Sequence, residues 1–197
     1  AASAETQARA LADAQPDDEE LAVLLAQCLV ARGKLADGLA VLDRTALPDR
    51  PGPERTLLAV LLALELEPED AALLRLGRGT APRDRLPLVR LLAAAWPSAW
   101  AGGEPIPAPE PADVEALPPF PTLARRLSAA LTRQGRGEAA AALLTAAARN
   151  ARGGDAAVAR GLAEDAVAAL RRAGHARAAF ALARQTGWRA VWRWLTR

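Results

Sequence analysis

The chain has 197 residues, of which 51% are hydrophobic and only 4% aromatic, with a formal net charge of +2. One cysteine, Cys28, and one histidine, His175, exclude an internal disulfide and a Cys-x-x-Cys pair and leave too few ligands for a zinc site. Tyrosine is absent and isoleucine occurs only at Ile106, while alanine, leucine, arginine and glutamate fill the segments between turns. Those residues favour helix and starve a sheet of its β-branched and aromatic material, so an all-α fold is expected.

In chain order, the first helix is predicted over Ala4–Ala14, ending before Pro16. Asp17 or Asp18 caps the next, whose first turn carries Glu19 and Glu20 against the helix dipole. Leu21, Leu24, Leu25, Cys28 and Leu29 recur at helical spacing and form an apolar stripe, on which Cys28 reads as a buried inert thiol. Arg32-Gly33 closes that helix, and Leu35–Ala46 follows it. After Pro48, Pro51 and Pro53 come helices over Glu54–Leu66, from Pro68 to near Gly77 or Gly79, and over Asp84–Trp96.

Ser98–Pro121 interrupts this pattern with seven prolines. An extended linker is the first reading, and a strap buried through Val114, Leu117 and Phe120 is the second. Beyond Pro121 there is no proline, and helices are predicted over Leu123–Gln134, Gly137–Asn150, Asp155–Ala173, Ala176–Thr186 and Trp188–Thr196. Asp155 is a candidate N-cap. The expected organisation is an acidic helical block over 1–97, the proline-rich linker or strap over 98–121, and a basic helical block over 122–197.

Three stretches share one grammar of helix, glycine and helix: Leu21–Ala46 around Gly33, Leu123–Arg149 around Gly135, and Ala156–Thr186 around Gly174. A helix pair this short cannot bury its stripe alone, so recurring pairs imply stacking into an α-solenoid. The pairs resemble tetratricopeptide repeats (TPR), particularly the degenerate ones of bacterial regulators and scaffolds. Aligned on the turn glycines, the family's small, turn and packing positions fall on Ala26, Gly33 and Gly38, on Ser128, Gly135 and Ala140, and on Val167, Gly174 and Ala179. The usual aromatics are replaced, by Ala22, Leu29 and Leu35 in the first unit. The resemblance implies a peptide-binding face on the first helix of each pair. It carries to Glu20, Val23, Gln27, Val30 and Ala31, to Thr122, Arg125, Ala129, Thr132 and Arg133, and to Gly161, Glu164, Ala168, Arg171 and Arg172.

Charge is segregated. Residues 1–120 hold eleven cations against nineteen carboxylates, a balance of −8, whereas residues 121–197 hold fourteen arginines against four carboxylates, a balance of +10. Arginine makes bidentate bonds to carboxylates and phosphates, so an acidic protein or peptide is the expected partner. Nucleic acid bound by the arginine-rich block and self-association of acidic with basic blocks are the alternatives. At the end of the chain, Trp188, Arg189, Trp192 and Arg193 shape a basic amphipathic helix, read as a terminal cap or as a partner-binding element. Candidate partner-binding residues are thus Arg125, Arg133, Arg171, Arg172, Trp188, Arg189, Trp192 and Arg193.

No set of acid, base and nucleophile recurs at catalytic spacing, so a non-catalytic interaction module or scaffold without metal or cofactor is expected. The apolar run Leu57–Leu66 is too short for a bilayer, so no transmembrane segment is expected. A cytoplasmic location is expected, with an exported chain already freed of its signal sequence as the alternative.

Overall fold

The computed structural model describes residues 2–44, 52–78, 87–99, 113–114, 118–151 and 155–186. They form ten α-helices and a short 3-10 turn, with no strand among the described residues. The chain divides into two compact units, one of Ala1–Asp84 with Ser98–Gly103, the other of Arg85–Pro97 with Glu104–Arg197.

The first unit contains α1 (Ala2–Ala14), α2 (Glu19–Val30), α3 (Leu35–Arg44), α4 (Pro53–Leu66) and α5 (Glu69–Arg78). Each packs on its successor, and α2 also touches α4. Asp18 starts α2 by accepting a 3.1 Å hydrogen bond from the Leu21 amide, as its position predicts. The core takes Ala22, Val23, Leu25, Ala26 and Leu29 from α2, and Gly38, Leu39 and Leu42 from α3. Leu24, placed by its spacing on the apolar stripe, instead lies 46% exposed. Cys28 is half-buried beside Ala8, Leu25 and Leu29. A methyl on Gly38 would meet the Ala26 carbonyl at 3.3 Å, so α2 and α3 approach backbone to backbone there.

Charge is placed inside this unit with care. Arg55 is buried, donates to the Leu42 carbonyl, and has its pKa lowered by desolvation while Glu19 and Asp43 favour its charge. Burial also disfavours the Arg75 charge, but hydrogen bonds to Asp43 and Glu67 outweigh that cost and raise its pKa. Hydrogen bonds from Arg32 and Lys34 hold the Glu5 carboxyl below its ordinary value, tying α1 to the turn after α2.

The second unit contains α6 (Pro87–Ala95), α7 (Pro121–Arg133), α8 (Gly137–Ala151), α9 (Ala156–Arg172) and α10 (Ala176–Thr186). α6 packs on α7, so it belongs here and not with the block that its sequence position suggested. α7, α8, α9 and α10 pack in succession, and α7 also touches α9. Leu123, Leu127, Leu131, Leu143 and Leu162 are almost fully buried between alanines, and Val167 packs on Ala179 and Ala183. Asp155 caps α9 by accepting from the amides of Ala157 and Val158 at 2.8 and 3.1 Å. From the proline-rich segment, Asp113 is fully buried and ion-paired to Arg90 of α6 at 2.6 Å, and Val114 and Phe120 are buried as well. Leu117 lies outside the described residues.

The three turn glycines share one construction. Gly33, Gly135 and Gly174 have φ of 75°, 75° and 82°. Each glycine amide bonds three residues back, to Val30, Thr132 or Arg171, and the next amide bonds five back, to Leu29, Leu131 or Leu170. That pair of bonds is a Schellman motif, which satisfies carbonyls the helix end would otherwise leave open. An added Cβ at any of the three meets nothing within 4 Å, so glycine is required by backbone conformation alone. Gly135→Ala is therefore expected to cost about 1–2 kcal/mol, read as a lower urea midpoint with an unchanged m-value.

Candidate binding face

α7 begins at Pro121, whose missing N–H is no loss in a first turn. Its buried residues are Leu123, Ala124, Leu127, Ser128, Ala130 and Leu131, which leaves Arg125, Ala129 and Arg133 as an exposed stripe at four-residue steps. In α9, Leu162, Ala163, Ala166 and Ala169 are buried, which leaves Gly161, Asp165, Ala168 and Arg172 along a less buried flank.

α7 and α9 both run antiparallel to α8, and so parallel to each other. One contact fixes their alignment: Arg125 Nε donates to Asp165 Oδ2 at 2.8 Å. The Arg125 guanidinium also lies beside Gly161, where a Cβ would sit 3.2 Å from Nη2. Glycine leaves room for the arginine to lie down toward α9. Eight residues further along, Arg133 is exposed at the end of α7, and Arg171 and Arg172 are exposed at the end of α9.

No known family, curated protein or solved structure matches this chain.

Arg125, Arg133 and Arg172 thus lie on two helices in mutual contact, while Arg171 is one helical step around from Arg172. Trp188, Arg189, Trp192 and Arg193 lie outside the described residues. In the first unit the carried-over positions diverge: Glu20, Gln27 and Ala31 are exposed, but Val23 is core. Its side chain falls on the buried arc of α2 with Ala22 and Ala26.

Sequence reasoning missed Asp165, the partner of Arg125. It stands forty residues away, and its one signal was a carboxylate in a strongly basic segment. His175 starts α10, its carbonyl accepting from the Ala179 amide, and its Nδ1 lies 3.2 Å from Glu138 Oε1. Among the described residues no cluster of three His, Cys, Asp or Glu could hold a metal ion, and no helix is long and apolar enough to cross a membrane.

Proposed function

We propose that this chain is a non-catalytic, tetratricopeptide-like adaptor that binds an acidic protein segment along the face shared by α7 and α9. The observation that carries the reading is the Arg125–Asp165–Gly161 contact, which aligns the first helices of two successive pairs. Stacked TPR-like hairpins use that same juxtaposition of first helices to make a groove. Further support comes from the three identical Schellman turns and from the buried small residues Ala26, Gly38, Ser128, Ala140 and Ala179 at the positions where paired helices close on each other.

A carboxylate-rich peptide suits the face because guanidinium binds carboxylates in a planar fork. Arg125 is already shared with Asp165, so Arg172, which forms no ion pair among the described residues, offers the stronger field. The test is fluorescence anisotropy of a labelled Glu/Ala peptide at low salt. Arg125→Ala with Arg172→Ala is expected to weaken binding about tenfold, the low end for charge-assisted bonds at exposed sites. Helicity by circular dichroism should be unchanged. Equal affinity in the double variant would overturn the assignment of this face.

A further inference from the structure

The turns after α7 and after α9 are locked side by side. A Cβ on Gly137 would lie 3.4 Å from Ala173 Cα and inside the van der Waals envelope of its Cβ, so the start of α8 touches the end of α9 directly. The Glu138–His175 contact closes the same edge from the other side. Around this contact stand five exposed arginines: Arg133 and Arg136 on one turn, Arg171, Arg172 and Arg177 on the other. Of these, Arg136, Arg172 and Arg177 form no ion pair among the described residues.

Helix electrostatics accounts for only some of them. Arg133, Arg171 and Arg172 occupy last turns, where a cation complements the negative end of the dipole. Arg136 and Arg177 do the reverse. The Arg136 carbonyl accepts the first helical bond of α8, from Ala140, and Arg177 is the second residue of α10. A cation at the positive end of a helix destabilises it. The equivalent residue after Gly33, Lys34, is offset by Glu5, and the one after Gly174 is His175, which contacts Glu138. No described residue pairs with Arg136 or Arg177, and sites that break a local stability rule are where function is expected.

We propose that this turn edge binds the phosphate backbone of a nucleic-acid duplex, without reading its bases. The edge is the rim of two adjacent hairpins, and its arginines are exposed. Its charges recur from one turn to the next, as phosphates recur along a strand. Every free cation on it is an arginine, whose fork matches a phosphate. No Phe, Tyr or Trp stands among these turn residues, and the imidazole of His175 is engaged with Glu138, so the edge lacks the extended stacking platform that single-strand binders use. A duplex, with its bases already stacked inside, fits better. This surface shares Arg133 and Arg172 with the α7/α9 face, whereas Arg136 and Arg177 belong to it alone.

The experiment titrates the full chain against a labelled mixed-sequence DNA duplex over a salt series. If most of the five arginines meet phosphates, log K should fall against log salt with a slope of about −4. The variant Arg136→Ser with Arg177→Glu should weaken duplex binding at least tenfold and make the slope shallower by about 2. Its melting temperature should be equal or higher, because both changes suit a helix start. Binding of the Glu/Ala peptide should be unaffected, which separates this edge from the proposed adaptor face. The proposal is overturned if the wild-type chain does not bind duplex at low salt, if the variant binds as well as wild type, or if poly-glutamate displaces the duplex at equal charge.

Discussion

Replacing Asp113 by alanine is expected to destabilise the second unit by about 3 kcal/mol, because it removes the fully buried carboxylate that pairs with Arg90. Removal of one member of a buried pair typically costs about 3–5 kcal/mol, and the lower figure applies because the Arg90 side chain keeps 19% of its exposure and so some access to water. Leucine in both places, Asp113→Leu with Arg90→Leu, should cost much less than the single alanine change, since no charge is left without its counterpart. Urea unfolding of the three variants checks this. Equal losses in the single and double variants would mean that side-chain packing, not the ion pair, holds the proline-rich segment at this point.

Gly137→Ala is the second large effect. Alanine is ordinarily the better helix residue by about 1 kcal/mol, and Gly137 has ordinary helical geometry, so a local argument predicts stabilisation. The neighbouring helix reverses the sign. The new methyl would overlap Ala173, and the backbones of α8 and α9 would have to separate, a strain that typically costs about 1–3 kcal/mol. Ala173→Gly removes the opposing methyl, so the double variant should recover most of the loss. A double-mutant cycle by thermal melting should give a coupling above about 1 kcal/mol, well beyond the scatter of independent sites. Additive effects would show that the two residues do not meet.

These two cases also mark how far the sequence could be read. Gly33, Gly135 and Gly174 were legible as turns because a left-handed helix end leaves a local trace, glycine one or two residues after an arginine. Asp18 and Asp155 were legible as caps for the same reason: their partners lie two or three residues away. The proline-rich segment was harder. Its prolines argue for extended backbone, but whether it packs depends on Asp113 finding Arg90 twenty-three residues earlier. Val23 and Leu24 exchanged their expected roles because α2 is apolar almost all round. Hydrophobic periodicity then leaves the rotation of the helix undetermined until α1, α3 and α4 are placed.

The proposed binding face shows the same division. Arg125, Arg133 and Arg172 were found by spacing from a turn glycine, a purely local ruler. Asp165 and the pairing of the two turn edges come from contacts between hairpins. Arg136 and Arg177 carried a local signal that was overlooked, namely positive charge where a helix start favours negative charge.

Each Schellman turn closes its own hydrogen bonds and joins two helices through a few residues. The contacts that define a hairpin therefore form over a short span of chain, with little loop entropy to overcome before they are rewarded. Within the second unit, order can begin at the Gly135 or the Gly174 hairpin and spread to the other, because α8 packs on α9. The corollary is fraying that starts at α10 and runs inward to α9, so a ligand held at the proposed face would steady both hairpins of that unit.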